Sequence, residues 1–249
     1  RRAYQIAAQF RARGVHVIMG GYHPTFLPDE ALQYADTVVT GEAEGIWEQV
    51  MEDALQGKLQ RLYRNDKPRG LEGIGFDRSL FRNKPYPPLY PVQFGRGCRY
   101  SCEFCSVSAF FGQGIRQRPV SDVIAEIEAI AQKYYFIVDD NLFCNESKIK
   151  EFLAALIPLK IRWATQISID VANNPVLLDL MAQSGCMAVI IGFESLDSRN
   201  LNQMGKQVNL ANSEFALAIS RMHDRGIMVY GTFVFGYDYD NPDSFQVAL

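Results

Sequence analysis

The chain has 249 residues, 48% of them hydrophobic and 21% charged, with a formal net charge of −3. That is long enough for one large domain or two smaller ones, with an ordinary globular composition. No apolar run approaches the roughly 20 residues needed to cross a bilayer, and the charge balance gives no basic footprint for nucleic acid.

Position 1 is not Met, and no signal-peptide pattern opens the chain; Arg1 to Arg13 reads directly as a helix that stops at Gly14. A strand over Val15–Met19 follows, then the turn Gly20-Gly21-Tyr22-His23-Pro24-Thr25. A helix near Pro28–Tyr34, a strand over Thr37–Val39, the segment Gly41-Glu42-Ala43-Glu44 and a helix through Trp47, Val50, Met51 and Leu55 complete this region. Short apolar strands alternating with amphipathic helices predict a doubly wound parallel sheet, of which residues 1–57 hold the last two strands. Residues 58–90 are rich in Pro, Gly, Arg and Lys without a sustained period and read as a linker or surface strap.

From Pro91 the alternation resumes. Strands are predicted over Pro91–Phe94, Tyr135–Val138, Trp163–Ile169, Ala188–Gly192 and Ile227–Phe235. Between them come helices over Ser121–Lys133, Ser147–Ile157, Pro175–Ser184 and Leu210–Arg225, and a further helix begins after Asn241-Pro242-Asp243. Such repetition fits a β/α barrel or an open doubly wound sheet, with chemistry where strands end and loops begin. Both ends of the chain are abrupt, so residues 91–249 and the region before them are expected to be an internal piece of a longer protein.

The loop after the first strand of this second region reads Phe94-Gly95-Arg96-Gly97-Cys98-Arg99-Tyr100-Ser101-Cys102-Glu103-Phe104-Cys105. Three of the five cysteines fall within eight residues, while Cys144 and Cys186 stand apart. Without a secretory signal, clustered cysteines point to metal before disulfide. Thiolates favour zinc, Cu(I) or iron–sulfur clusters. A structural zinc site takes four protein ligands, and no fourth Cys or His follows within thirty residues. Three thiolates on an iron–sulfur cluster leave one iron open for a cofactor or substrate. Three buried cysteines that happen to be neighbours, or a zinc site completed by a distant residue, are the competing readings.

The C-x3-C-x2-C spacing with Phe104 before the last Cys resembles the defining motif of the radical S-adenosylmethionine (SAM) superfamily. The resemblance runs from about Phe94 to the end of the chain. It implies a partial (β/α)6 barrel lacking its last strand, preceded by the C-terminal part of a Rossmann-like cobalamin-binding-type domain. It also implies a [4Fe–4S] cluster on Cys98, Cys102 and Cys105 whose open iron is chelated by SAM. Reductive cleavage of SAM would then give a 5′-deoxyadenosyl radical that abstracts hydrogen from a small-molecule substrate.

Further motifs are similar to those of the family. Asp139-Asp140-Asn141 ends the second strand, where the family contacts the SAM amino group. Gly192-Phe193-Glu194-Ser195, followed by Leu201, Met204, Gly205 and Lys206, resembles the signature of members with an N-terminal cobalamin-type domain. The resemblance assigns Glu194 to the polar part of SAM, Ser168 to its ribose, and Phe235 with its neighbours to adenine. Plain structural roles compete for each: Asp139 and Asp140 as strand-end caps, Glu194 as a buried hydrogen-bond partner, and Phe233 and Phe235 as core. The Gly20-Gly21 turn resembles the last third of the cobalamin fold, so cobalamin is allowed but not required, and His23 reads as a loop residue rather than a cobalt ligand. The implied activity is radical SAM chemistry, with cobalamin-assisted methyl transfer among the options. An electron-transfer or zinc module and an RNA-modifying methylthiotransferase-like enzyme are the alternatives. A flavodoxin- or ferredoxin-type reductant and a cytoplasmic, reducing location complete the expectation.

Overall fold

The computed structural model describes residues 1–81, 84–112 and 114–248; Leu249, where the last helix of the sequence reading is cut, lies outside them. The chain divides into two compact units, residues 1–70 with Ala109–Phe111, and residues 71–108 with 112–249.

The first unit follows the order α1 (Arg2–Arg11), β1 (Ile18–Met19), α2 (Tyr22–Phe26), α3 (Pro28–Tyr34), β2 (Thr37–Thr40), α4 (Trp47–Leu55) and β3 (Leu62–Arg64). Its three strands are parallel in the order β1-β2-β3. All four residues of β2 are buried, because successive side chains leave a strand on opposite faces and helices cover both. Val38 packs with Ala31 and Ala35, whereas Val39 packs with Val50 and Tyr63.

Two expectations need correction here. The first strand begins at Ile18 rather than Val15, the backbone N–H of Val17 being taken by the Asp36 carboxylate at 2.9 Å. A third strand, β3, lies inside the stretch read as linker, and the second unit starts at Leu71, itself buried. Three residues among charged neighbours are too few to show a period. The strand exists because the open edge of β2 offers it hydrogen bonds.

The second unit carries a five-stranded parallel sheet in the order β10-β9-β8-β7-β4. Its strands are β4 (Tyr90–Val92), β7 (Tyr134–Ile137), β8 (Arg162–Ile167), β9 (Cys186–Glu194) and β10 (Met228–Phe233). A two-stranded antiparallel ribbon, β5 (Gly95–Arg96) with β6 (Arg116–Gln117), brackets α5 (Ser106–Phe111). The strands alternate with α6 (Val120–Ile130), α7 (Glu146–Leu156), α8 (Pro175–Gln183) and α11 (Phe215–His223). The expected helix over Leu210–Arg225 is divided into α10 (Gln207–Ala211) and α11. Asn212 and Ser213 stand at the break, and Asn212 turns its amide back onto the carbonyl of Val208 at 2.6 Å. α9 (Ser198–Gln203) lies where no helix was expected, and α12 (Asp243–Val247) forms where a helix was expected to begin.

Alternation sorts the sheet's two faces. Tyr135, Ile137, Trp163, Val189 and Ile191 join Val123, Ile127, Phe152, Leu153, Leu178 and Met222 of the helices in one core. Phe94 stacks on Phe152 at 4.4 Å within it. Of the intervening residues, Gln166, Met228 and Tyr230 are exposed on the other face. No helix among the described residues is long and apolar enough to cross a membrane.

Asp139, just past β7, is almost fully buried and accepts the N–H of Phe94 at 2.8 Å together with that of Gly95. It thus ties the end of β4 to β7. Burial, opposed by those two hydrogen bonds, raises its carboxyl to about 7. A carboxyl raised in the folded state contributes stability below its unfolded pKa of about 4 and loses it as pH rises through 7. Wild type should therefore lose about 2–3 kcal/mol between pH 5 and pH 8 relative to Asp139→Asn. Urea unfolding of both at the two pH values checks this, and a pH-independent difference would contradict it.

Trp163 is fully buried, and its indole N–H donates to the carbonyl of Ser184 at 3.0 Å. Trp163→Ala should destabilise the chain by about 3–5 kcal/mol. Trp163→Phe should cost about 1–3 kcal/mol through the unpaired carbonyl, both read by circular dichroism in urea.

Candidate functional site

A cavity of about 200 Å³ opens at the carboxyl ends of the strands of the second unit. Cys98, Cys102, Cys105, Phe104, Asp140, Ser168 and Glu194 all line it, so seven of the nine residues expected at the cluster and SAM site are brought together. Asp139 and Phe235 are not. The Asp139 carboxylate faces the opposite way from that of Asp140, as neighbours at a strand end do, and is consumed by the backbone of Phe94 and Gly95. Phe235 lies past the end of β10 and stacks on Phe245 at 4.4 Å, lining a separate cavity of about 230 Å³ with Asp197, Tyr239 and Asp240.

The cysteine loop is held from several sides. Gly97 has φ of +93°, and a Cβ there would sit 2.1 Å from the carbonyl oxygen of Gly114, so only glycine allows the loop this approach to β6. Asp140 accepts the N–H of Gly97 at 2.9 Å, and burial raises its carboxyl above the ordinary value. Asp170, just after β8, pairs with Arg99 and accepts the Tyr100 hydroxyl at 3.0 Å, which fastens the loop between Cys98 and Cys102.

All five cysteines are free thiols. A hydrogen bond from the Cys144 thiol lowers Cys98 to about 6 and raises Cys144, a tightly linked pair in which Cys144 keeps the proton. Burial raises Cys102, while the ammonium of Lys206 pulls the other way and Cys105 and Cys98 add to the rise. Among the described residues no three His, Cys, Asp or Glu side chains converge closely enough to hold one metal ion. Three thiols, none in a disulfide, line one cavity, and that soft donor set fits an iron–sulfur cluster in which each thiolate takes a different iron. Cys144 touches Cys98 but does not line the cavity, and Cys186 is buried at the start of β9 with its thiol toward the carbonyl of Ala188. Neither closes a fourth position.

Across the cavity Glu194 and Lys206 form an ion pair at 2.9 Å, both largely buried. Lys206 also lies 5.9 Å from the Phe104 ring centroid. Glu194 adopts φ of +65°, a left-handed conformation costing about 1–2 kcal/mol in a non-glycine residue. The register between β9 and β10 shifts at that point, pairing Phe233 with Glu194. Gly192 makes room for the bent-back carboxylate: a Cβ there would lie 2.1 Å from the Glu194 Oε1.

Asn141 and Lys206, quoted within motifs, also line the site, and it has lining residues that the sequence reading left out: Tyr100, Gln166, Ile190 and Thr232. For three of them a signal existed. Ile190, Gly192 and Glu194 share one face of β9 by period-two spacing, and the pairings Gln166 with Ile190 and Gly192 with Thr232 extend that face across the sheet. Asn141 ties the motif together: its Nδ2 reaches Cys98 Sγ at 3.6 Å and Ser168 Oγ at 3.2 Å.

In the first unit a cavity of about 460 Å³ lies at the end of β1, lined by Ile18, Met19, Gly20, His23, Glu30 and Tyr4 among others. His23 Nε2 is engaged by the Tyr4 hydroxyl at 2.8 Å and by Glu30 at 3.2 Å. The crevice beyond the carboxyl ends of parallel strands is where doubly wound sheets take ligands.

The family model described as the radical SAM superfamily matches residues 92–249. The bacteriochlorophyllide d C-12(1)-methyltransferase of Chlorobaculum tepidum is 32% identical over 100% of this chain and 57% of its own length. The C-8(2)-methyltransferase of the same organism is 30% identical over 94% of this chain and 56% of its own. Among solved structures, the radical SAM methyltransferase TsrM from Kitasatospora setae, with tryptophan and a SAM analogue bound, superposes with a TM-score of 0.80 at 16% identity. That match covers 98% of this chain and 54% of TsrM. A second TsrM structure contains cobalamin and a [4Fe–4S] cluster. The chain thus spans little more than half the length of these relatives. With a matched family model over the whole second unit from β4 onward, and a three-thiol cavity where that family's motif falls, the chain belongs to the radical SAM superfamily.

Proposed function

We propose that this chain is the core of a radical SAM methyltransferase acting on a small-molecule acceptor, with SAM in the three-thiol cavity and cobalamin on the first unit. The observation that carries this reading is the convergence of three thiols and a buried Glu–Lys pair on one cavity. When bound, the cluster and SAM supply one-electron cleavage of a sulfonium, and the corrinoid supplies a methyl carrier.

The chain's own residues bind, orient and exclude water. Cys98, Cys102 and Cys105 would hold three irons and leave the fourth to the amino and carboxylate groups of SAM. Glu194 and Lys206 offer those groups a carboxylate and an ammonium already paired and partly desolvated, so each charge is fixed before the ligand arrives. Ser168 and Asn141 present a hydroxyl and an amide suited to a ribose. Phe104 and Ile190 give the cavity apolar wall. In the first unit, the cavity at the end of β1 is the place for part of a corrinoid, and His23, tied to Tyr4 and Glu30, serves there as a wall residue rather than a cobalt ligand.

The relatives support methyl transfer, since the two curated relatives above are methyltransferases and TsrM is a methyltransferase with cobalamin bound in one structure. An electron carrier closes its cluster with a fourth thiolate, and among the described residues no fourth cysteine lines the cavity. A flavodoxin- or ferredoxin-type reductant and a reducing, cytoplasmic setting belong to the same proposal, because such a cluster must be reduced and kept from oxygen.

The test is electron paramagnetic resonance on the full chain, reconstituted anaerobically and reduced with dithionite, with and without SAM. A [4Fe–4S]⁺ signal that changes on adding SAM is expected; a cluster signal indifferent to SAM, or zinc in place of iron, contradicts the proposal. Cys102→Ala should lose the cluster's iron. Glu194→Gln should keep wild-type iron while weakening SAM binding about tenfold or more, consistent with losing a charge-assisted contact.

A further inference from the structure

Hydrogen bonds are distributed unequally over the three thiols. Cys98 Sγ receives the backbone N–H of Tyr100 at 3.5 Å and Nδ2 of Asn141 at 3.6 Å. These N–H to sulfur lengths are ordinary for an atom of sulfur's radius. Cys102 and Cys105 receive no such side-chain or backbone donor among the described residues.

The Asn141 donor is fixed in direction. The side chain is 7% exposed, and its Oδ1 accepts the N–H of Phe143 at 3.3 Å, capping the single helical turn over Leu142–Cys144. With the oxygen held there, Nδ2 faces the sulfur, and Ser168 Oγ at 3.2 Å steadies it from the other side. The cap after β7 and the backbone of the cysteine loop thus each aim one N–H at the same sulfur.

One-electron reduction adds negative charge to a cluster and its thiolates. A donor aimed at a ligating sulfur stabilises the reduced form more than the oxidised form and raises the reduction potential. We propose that Asn141 is a positioning residue that raises the cluster's reduction potential through its hydrogen bond to Cys98 Sγ, an inference that rests on the reading of Cys98, Cys102 and Cys105 as cluster ligands. In this arrangement Cys98 is electronically distinct from the other two ligands, and the cluster comes within reach of a weaker reductant than three undecorated thiolates would require.

The experiment is a redox titration followed by electron paramagnetic resonance, with iron content measured in parallel, on the reconstituted full chain as wild type, Asn141→Asp and Asn141→Ser. Both variants keep a side-chain oxygen for the Phe143 cap and remove the amide N–H donor, and Asn141→Asp also adds a charge. Both should keep wild-type iron and shift the midpoint to more negative potential, Asn141→Asp further than Asn141→Ser. Unchanged midpoints in both overturn the inference, as does loss of iron from both, which would make Asn141 a structural support of the loop. Should Asn141→Asp alone lose iron, the midpoint of Asn141→Ser decides. A wild-type chain without any cluster signal would instead sink the reading on which the inference rests.

Discussion

Two adjacent carboxylates at the end of β7 anchor the cysteine loop to the sheet. Asp139 turns inward to the N–H groups of Phe94 and Gly95, and Asp140 turns outward to the N–H of Gly97. Between them they satisfy backbone donors that the loop, having left the ladder, offers to no strand. The loop can then pass tightly beside β6 at Gly97 and present Cys98 at its far end. A cluster is held only as well as its ligands are placed, so this pair of carboxylates underlies everything the cavity does.

The cavity's chemistry comes from strain and charge kept in one place. Glu194 sits in a left-handed conformation at a register shift, a cost that the surrounding sheet and the Lys206 ammonium offset. Separating that pair would leave a buried charge uncompensated, which costs several kcal/mol. A ligand carrying both an amine and a carboxylate is suited to take the place of each partner for the other.

The first unit shows how little sequence a doubly wound layer needs. Four residues of β2 carry two cores, because Val38 and Val39 leave the strand on opposite faces toward helices on each side. The helix-flanked crevice at the end of β1 follows from the same winding, and Tyr4, His23 and Glu30 form a closed polar set beside it.

Strand and helix order in the second unit was legible from periodicity, and the three thiols from their spacing alone, because both signals are local and repeat within a few residues. The face that Glu194 occupies was legible in principle, since Ile190 and Gly192 precede it at period two. Tertiary structure decided the rest. Asp139 and Asp140 are chemically identical neighbours, and only the direction of the last residues of β7 tells which one reaches the cavity. Cys144 and Lys206 are far from the cysteine loop in sequence, and their meeting with Cys98 and Glu194 depends on how the turn after β7 and the segment after α9 close onto the sheet. The strand β3 exists because β2 left an edge to be filled, and Phe235 left the cavity because the chain turned away beyond β10. Spacing along the chain determines which groups repeat and at what interval; the long-range packing of elements, which no local pattern records, determines which of those groups face one another.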